Sequence, residues 1–428
     1  MSNFVLGTDL YVKGRIGWRG LSKSEYLEDG DYRIINATAL MDGYVDWDNC
    51  GYISQERYEE SEEIMLKEND ILISKDGTLG KIGYVKGLTK PTTVASGIFV
   101  LRNTIPNRLD FDYLYHILKS DIFKDFISRN KAQGSTINHL YQRDLDNFTL
   151  DLPSLEVQGK IAKMLNAIDD KIDCNLKNAD VIDEYVKTIY EYWFLQFDFP
   201  NENNKTYKSH NGPMEYNDLL AREIPQGWKV KPLDKCVTTI IDNRGKTPKK
   251  LGGDWVEEGI KALSAKIVKG GRLINLDQAN QVSEEMFEKW MPDKLQDGDI
   301  LMTSEAPLGE FYFMYMDTHY CLSQRLFAIR ANQEIVMPSY LYYELSDGHG
   351  YSQIIGKRSG STVAGIRQEE LRKVNILIPD ITIQKKFEEN VLPLIKQKRN
   401  GEMETQKLIE LRRFLLPMLT NGQVTPTI

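Results

Sequence analysis

Apolar residues recur every three or four positions in a long stretch that follows Pro153 and contains no further proline before Pro200. Positions three and four apart lie on one face of a helix, so this spacing predicts a single amphipathic helix. A proline just ahead of a helix can start it without interrupting it. The apolar positions are Ile161, Met164, Leu165, Ile168, Ile172, Leu176, Ala179, Ile182, Val186, Ile189 and Trp193.

A second stretch of helical periodicity follows Pro379. Its apolar positions are Phe387, Val391, Leu394, Ile395, Leu408, Leu411, Leu415, Leu416 and Met418. Pro393, Asn400 and Gly401 fall inside it, and proline and glycine weaken a helix interior. We therefore expect the middle of this second helix to be kinked or weak.

The segments before the two helices contain short β-branched or alternating runs, such as ILIS and RLFAIR, broken by Gly, Asn and Asp turns. Such runs predict twisted sheets. We expect an α+β fold with mixed α/β domains at 1–152 and 228–378 and long helices at 153–200 and 379–422. Residues 201–227 predict an irregular linker or a stretch that wraps a globule.

The chain also contains an internal repeat. Residues 131–160 align without a gap on residues 357–386, with nine identities in 30 positions at an offset of 226. Upstream blocks match in the same order, at offsets of 229 and 227: Asp70-Ile71-Leu72 with Asp299-Ile300-Leu301, and Tyr113-Leu114-Tyr115 with Tyr340-Leu341-Tyr342. Ordered matches with small drifts indicate a duplication, so the two domains should be pseudo-symmetric.

A helix with one apolar stripe is unstable alone in water, so the two helices must bury their stripes against each other or against a partner. The simplest solution for one chain is an antiparallel pair that separates the two domains. Two similar surfaces at a fixed distance suit duplex DNA, which repeats about every 34 Å. A scaffold that binds two proteins through duplicated heads would share this pattern, and both alternatives stay open at this point.

Composition limits the kind of nucleic-acid binding that is expected. The chain of 428 residues has a net charge of −8, which argues against binding by bulk electrostatics. Residues 1–152 hold 18 Lys and Arg against 23 Asp and Glu, a net charge of −5, and residues 228–378 hold 20 of each. Because affinity for DNA scales with the phosphates neutralised, the isolated chain should bind DNA weakly and through local patches.

The four cysteines and five histidines are scattered, and no zinc site or disulfide framework is expected from their spacing. No apolar run approaches the roughly 20 residues of a membrane helix. The first residues do not have the pattern of a secretory signal. We expect a cytoplasmic protein.

Several motifs together resemble the DNA-specificity subunit of type I restriction-modification systems. The most specific is PxxxxQ at a helix start, present as Pro153 to Gln158 and as Pro379 to Gln384, each time after a GST-containing segment. Further marks are IAKMLNAIDDKID, YEYWFLQFDF, IPQGW and LLPMLTNGQ. The resemblance covers nearly the whole chain.

This resemblance implies two target-recognition domains, each reading one half of a bipartite site in double-stranded DNA. It also implies that the helices dock methyltransferase subunits, two of them, which bind S-adenosylmethionine and modify adenine. Translocase-nuclease subunits would join through the complex, and this chain would hold no cofactor itself. A subunit that serves a fused methyltransferase-nuclease is a close variant.

The chain departs from the repeat at its start. The sequence from Ile224 to Trp228 leads into the second domain and has no counterpart before Asp9. We expect the first copy to be short there, with a strand or cap that is missing or supplied by the C-terminal tail.

No catalytic signature stands out. The chain has no DPPY or NPPY motif for adenine methylation, no GxxxxGK[ST] loop and no HExxH motif. We expect it not to be an enzyme.

Reading a DNA sequence requires donors and acceptors at base edges and further contacts to phosphates. The candidates come from the basic opening loop of each domain, from polar residues before glycine turns and from the GST segments. In the first domain they are Lys13, Arg15, Arg19, Lys23, Asn36, Thr38, Arg129, Lys131 and Ser135. In the second they are Asn243, Arg244, Lys246, Lys249, Ser264, Lys266, Lys269, Lys357, Arg358, Ser361 and Arg367. Solvated loops, edge strands and helix caps would explain the same residues.

An aromatic cluster lies at the end of the first helix, and it comprises Tyr185, Tyr190, Tyr192, Trp193, Phe194, Phe197 and Phe199. Such side chains are common at protein interfaces, where they would anchor a methyltransferase. Packing of the helix end onto its neighbouring domain explains them more simply, and we favour packing.

Overall fold

The computed structural model describes residues 2–15, 20–41, 43–130, 139–203, 205–359, 364–420 and 424. The chain divides into two compact units. The first unit consists of residues 1–173 and 405–428, and the second of residues 174–404. The first domain therefore lies in the first unit and the second domain in the second.

The first domain is built on a five-stranded sheet of order β2-β9-β6-β7-β4 and a three-stranded sheet of order β5-β3-β8. Strands β1 and β10 form a separate antiparallel pair. The strands are β1 Ser2–Val5, β2 Leu10–Gly14, β3 Tyr32–Ile35, β4 Gly43–Tyr44, β5 Gly51–Ile53, β6 Ile71–Ser74, β7 Ile82–Tyr84, β8 Thr92–Val94, β9 Ile98–Asn103 and β10 Thr149–Leu152. Strands β6 and the first part of β9 are fully buried, as their continuous apolar runs require.

The second domain repeats this plan, with sheets of order β14-β22-β19-β20 and β18-β15-β21 and the pair β13-β23. In both domains the three-stranded sheet contains one parallel pair, β3 with β8 and β15 with β21. The strands of the second unit are β11 Met214–Asn217, β12 Arg222–Pro225, β13 Lys229–Pro232, β14 Val237–Asp242, β15 Ile260–Leu263, β16 Val268–Lys269, β17 Arg272–Leu273, β18 Gln281–Val282, β19 Ile300–Ser304, β20 Leu308–Phe313, β21 Cys321–Leu322, β22 Leu326–Ala331 and β23 Asn375–Ile378. The α+β prediction with two mixed domains is confirmed.

A buried ion pair ties the same two strands in each domain. Asp70, 1% exposed, accepts two bonds from Arg102, and Asp299, 1% exposed, accepts two from Arg330. Each arginine also donates to a backbone carbonyl at 2.8 Å, of Met65 in one domain and Lys294 in the other. These extra bonds satisfy the buried charges, which alone would be costly.

Two long helices, α6 and α11, carry the predicted apolar stripes. The helices are α1 Leu6–Asp9, α2 Gln55–Glu59, α3 Phe111–Lys119, α4 Asp121–Asn130, α5 Gln142–Leu145, α6 Leu155–Tyr190, α7 Glu284–Trp290, α8 Pro338–Ser346, α9 His349–Gly356, α10 Gln368–Leu371 and α11 Ile381–Thr420. A π-helical turn, Glu191–Leu195, extends α6. Two predicted stripe positions differ. Leu176 on α6 is exposed and Asn175 is buried in its place, and Leu411 on α11 is exposed.

Segments of α6 and α11 run antiparallel within each unit. In the second unit, Asn175 donates to the carbonyl of Gly401 at 3.3 Å, and the rings of Tyr190 and Phe387 are 6.4 Å apart. In the first unit, Arg412 pairs with Asp169 at 3.2 Å, and Leu416 lies in the same apolar cluster as Leu165. In each unit, positions that rise along α6 thus meet positions that fall along α11.

Pro393, Asn400 and Gly401 do not interrupt α11, since the helix is continuous from Ile381 to Thr420, and the expected kink stays a prediction. Pro393 and Asn400 lie on its exposed side, where water can satisfy the carbonyl that a proline leaves without a donor. On the opposite side, Val391 and Ile395 are buried in the core of the second unit and hold the helix in place.

The first copy has the strand that was expected to be missing or supplied by the C-terminal tail, so that expectation is wrong. Residues 2–5 form β1 and pair with β10, as β13 pairs with β23 in the second copy. The extra sequence before the second domain instead forms the antiparallel hairpin β11-β12, whose Ile224 is buried. The linker is therefore partly regular, and it packs on the second core.

The aromatic cluster at the end of α6 mainly packs, as favoured above. Tyr190, Phe194, Phe197 and Phe199 are at most 3% exposed. Phe194 lies 4.6 Å from the ring of Tyr340. Tyr185 and Tyr192 stay exposed on the helix.

The glutamine of each PxxxxQ motif caps a neighbouring segment from a fully buried position. Gln158 accepts from the Asp110 amide at 2.9 Å and donates to the carbonyls of Pro153 and Arg108. Gln384 does the same with the Met337 amide at 2.8 Å and the carbonyls of Pro379 and Ile335. The motif therefore fixes each long helix to its own domain.

Replacing Gln384 with Ala would leave these three backbone groups buried without a partner. We expect the free energy of unfolding of the second unit to fall by about 2 kcal/mol. Native-state hydrogen exchange at Ile329 in β22 measures this unit, and exchange at Leu101 in β9 of the first unit is the internal reference. Gln397→Ala, at an exposed position of the same helix, is the matched control. Equal exchange in both variants would contradict the capping role.

Candidate nucleic-acid interface

One end of the main sheet in the first domain is held by three backbone hydrogen bonds. The Lys75 amide donates to the Gly97 carbonyl at 2.8 Å, and the Leu140 amide donates to the Lys75 carbonyl at 2.9 Å. The Ala95 amide donates to the Ile35 carbonyl at 2.8 Å, which adds the end of β3. These bonds gather the end of β6, the turn before β9 and the segment after the GST motif. We call this surface the first edge, defined by Asn36, Lys75, Asp76, Gly97 and His139.

The second domain has the same three bonds, each at 2.9 Å. They run from Ser304 to Arg325, from Ile366 to Ser304 and from Ser323 to Leu263. The equivalent surface is the second edge, defined by Ser264, Ser304, Glu305, Arg325 and Gly365.

A glutamine side chain anchors the short helix beside each edge. Gln142 Nε2 donates to the Val12 carbonyl on β2 at 3.2 Å, and Gln368 Nε2 donates to the Ile240 carbonyl on β14 at 2.9 Å. The repeat aligns glutamine with glutamine at positions 142 and 368, and this shared anchoring bond explains why the residue is the same in both copies.

Three predicted contact residues of the second domain come together beside the second edge. The guanidinium of Arg244 lies 4.9 Å from the Phe327 ring, and the carbonyl of Lys246 accepts from Gln324 at 3.2 Å. Arg367 immediately precedes the anchored Gln368. All three side chains are exposed, so this surface can contact a large polar ligand.

Asn243 is not available as a contact, which corrects its prediction. It is 2% exposed, and its side chain donates to the Leu322 carbonyl at 2.9 Å and accepts from Lys246 Nζ at 3.2 Å. Asn243 therefore shapes the loop that presents Arg244 and Lys246.

Arg15 requires the same correction in the first domain. It is 2% exposed, and its Nε donates to the Val94 carbonyl at 3.0 Å. Further bonds reach Ser61 and Thr93, and burial lowers the pKa of the guanidinium. Lys13, on β2, is exposed and remains a candidate.

Two pairs of an acid and a basic side chain at the edges were missed from the sequence. Asp76 contacts His139 Nδ1 at the first edge, and Glu305 lies 3.0 Å from Arg325 Nε at the second. The aligned Asp70 and Asp299 blocks start six residues before the two acids, so the repeat itself could have indicated them. Their basic partners come from different positions of the repeat, which hid the pattern.

The predicted turn residues have mixed roles. Asn36 accepts from the amide and hydroxyl of Thr38, which closes a local turn and leaves Thr38 exposed. Ser264 is half-buried, and its carbonyl accepts from the Ile267 amide at 2.9 Å. Lys266 and Lys269 are exposed.

The remaining candidates are scattered around the domains. Lys23, Arg129, Lys249 and Arg358 are exposed and Lys357 is half-buried, with no contact that brings them to an edge among the described residues. Arg19, Lys131, Ser135 and Ser361 lie outside the described residues. Ser359 and Gly365, which flank the second GST segment, pair with each other through two backbone bonds of 2.8 and 3.0 Å.

The described residues contain no group of three or more His, Cys, Asp or Glu side chains placed to hold a metal ion. None of their helices is long and apolar enough to span a membrane.

Known proteins share both the sequence pattern and the fold. The family model described as type I restriction modification DNA specificity domain matches residues 17–183 and 225–411. The MjaIX specificity subunit of Methanocaldococcus jannaschii is 25% identical over 85% of this chain and 81% of its own length. The HindI specificity subunit of Haemophilus influenzae is 20% identical over 73% of this chain and 77% of its own.

A solved structure supports the fold. The type I restriction-modification S subunit from M. genitalium aligns with 100% of this chain and 96% of its own, with a TM-score of 0.57 and 15% identity. Because the family model matches the chain twice and over most of its length, the chain belongs to the family of type I restriction-modification DNA specificity subunits.

Proposed function

We propose that this specificity subunit recognises a bipartite site in double-stranded DNA, one half with each domain, and catalyses no reaction itself. The observation that carries the proposal is the repeated edge, where the same backbone bonds present two sets of polar and charged side chains. A duplicated reader that carries different side chains on one framework suits a site with two different halves.

The chemistry of the second edge fits base and phosphate contacts. Arg244, Lys246, Arg325 and Arg367 expose four cations around one end of the sheet. Arginine and lysine contact guanine and phosphates, and hydroxyls such as that of Ser264 serve either kind of contact. The low overall charge means that partners in the complex supply part of the affinity for DNA.

The helices supply surfaces for partners. Val181 and Tyr185 on α6 are 65% and 57% exposed, and Phe414 on α11 is 64% exposed. Large apolar side chains left in water on a helix are typical of protein interfaces. We assign these surfaces to two methyltransferase subunits, which would bind S-adenosylmethionine and modify adenine, and through them to the translocase-nuclease subunits.

Co-expression of the chain with its neighbouring methyltransferase, followed by methylation mapping at base resolution, tests the proposal. We expect a bipartite motif with a methylated adenine in each half. Arg244→Glu combined with Lys246→Glu should abolish or relax the half read by the second domain, because two phosphate or base contacts become repulsive.

The same experiment separates the alternatives. A scaffold that only binds proteins would keep its methylation pattern after this charge reversal. Methylation by the chain without a methyltransferase would show it to be an enzyme. Either result would overturn the proposed function.

A further inference from the structure

At the second edge, one side of the Arg325 guanidinium contacts an acid and the other side faces outward. Its Nε lies 3.0 Å from Glu305 Oε1, with the two side chains 55% and 38% exposed. Within the part of the chain that the structure describes, its two Nη groups have no other acceptor. The carboxylate thus fixes the guanidinium at one end and leaves the other end open.

The backbone at Arg325 is unfavourable for any side chain. Its φ is 67°, in the left-handed region that glycine adopts without penalty. The side chain is largely exposed, so packing does not account for an arginine there. Because Arg325 is held in such a conformation at an exposed turn, we infer that it serves a function other than stabilising the fold.

The first edge carries an equivalent pair built from different positions. Gly97 aligns with Arg325 at an offset of 228, and His139 aligns with Gly365 at an offset of 226. A Cβ at Gly97 would lie 3.5 Å from Asp76 Oδ2, and a Cβ at Gly365 would lie 3.5 Å from Glu305 Oε2. Each acid is therefore flanked by the same two positions, of which one holds a basic side chain and the other a glycine. Because the basic residue differs in type and position between the domains, the feature that the two edges share is the pair of an acid and a basic side chain.

We propose that Arg325, positioned by Glu305, reads a guanine in the half-site of the second domain. This inference rests on the proposed function and adds the base and the residues that recognise it. The two Nη groups can donate together to O6 and N7 of guanine, the commonest specific contact in the major groove. Glu305 holds the side chain before DNA arrives, which lowers the entropy lost on binding.

Arg325→Gly is the decisive variant, since it removes the side chain and relieves the backbone. We expect the methylated motif to lose its requirement for guanine at one position of the second half. The preference for guanine over the other bases at that position should fall by roughly 10- to 100-fold. The first half should be unchanged and serves as the internal reference. Glu305→Gln should weaken the same preference, and Arg325→Lys should retain only part of it, because lysine lacks the planar fork that holds two donors in a fixed geometry.

Arg372→Ala is the matched control. Arg372 forms a comparable surface pair with Asp234 at 2.7 Å, next to the opposite end of β14, and its loss should leave the motif intact. Exchange at Ile329 should be no faster in Arg325→Gly than in the wild type, which excludes a folding defect.

The outcomes are distinct. A wild-type complex without a bipartite motif defeats the proposed function itself. A bipartite wild-type motif that Arg325→Gly leaves unchanged, or alters only in the first half, overturns the guanine assignment alone. If the variant complex methylates nothing, its affinity is measured for duplexes with each base at every position of the second half. Uniform weakening then overturns the assignment, and selective loss of guanine discrimination supports it.

Discussion

Glu402→Ala is expected to lower the free energy of unfolding of the second unit by about 3 to 5 kcal/mol. Glu402 contacts Arg399 Nη1, and Arg399 is only 4% exposed. Arg399 Nη2 also donates to the Phe313 carbonyl at 2.8 Å, and its guanidinium lies 4.0 Å from the Tyr312 ring. Removing the carboxylate would leave the buried charge of Arg399 without its counter-ion. An uncompensated buried charge is the reason why losing one partner of such a pair is strongly destabilising.

The double variant Arg399→Met/Glu402→Leu should recover most of this loss. An apolar pair of similar volume avoids the desolvation that a buried ion pair must offset. Hydrogen exchange at Ile329 in β22 reports on the second unit, with Leu101 in the first unit as the reference. Glu389→Ala, at an exposed position of the same helix, is the control. A loss below about 1 kcal/mol for Glu402→Ala would place the pair among weak surface interactions.

Glu344→Gln is expected to remove a pH dependence of stability worth about 3 kcal/mol. Glu344, in α8, is 1% exposed and accepts from the Tyr190 hydroxyl on α6 at 2.6 Å. Burial raises the pKa of Glu344 to about 7, from an ordinary value of 4.5. The carboxyl is therefore partly protonated near neutral pH, when the unfolded chain would ionise it.

The direction of this pH dependence follows from the number of protons that Glu344 binds in the folded and unfolded states. Between pH 4.5 and 7 the folded protein holds more protons at Glu344 than the unfolded chain does. The free energy of unfolding must then fall as pH rises through this window, and the full cost is present above it. Glutamine keeps an acceptor for Tyr190 but cannot ionise, so this contribution disappears in the variant.

Comparing the variant with the wild type from pH 5 to pH 8 isolates this effect. Other groups near Glu344, including Arg222, Asp347 and His349, are present in both proteins and cancel in the difference. Exchange at Ile329, corrected for the intrinsic rate at each pH, gives the free energies. The variant should gain stability relative to the wild type as pH rises, and a constant difference across the range would contradict a raised pKa.

The sequence was sufficient for features that depend on spacing along the chain. The repeat, the sheet-rich domains and the two long helices follow from periodicity and from ordered matches, which local physics controls. The buried Gln158 and Gln384 were visible as a paired motif, although their capping role required the structure. Continuity of α11 through Pro393 was not predictable, because it depends on which side of the helix meets solvent.

The contact residues were only partly predictable, because burial of a polar side chain depends on distant partners. Arg15 is satisfied by residues 46 to 79 positions away in the sequence. Asn243 is held by Leu322, 79 positions away. The repeat could have indicated Glu305, but its pairing with Arg325 was not predictable, since only the fold places a turn and a strand end side by side.

The last turns of α11 complete the apolar interior of the first unit, where Leu416 and Leu419 pack with Ile161 and Leu165. These leucines are translated about 250 residues after their neighbours on α6. At a ribosomal rate of about 5 to 20 residues per second, the nascent first unit must wait roughly 10 to 50 s for its final pieces. Its unfinished apolar surface is exposed to chaperones and proteases during that delay, whereas the second unit can close as soon as residue 404 emerges.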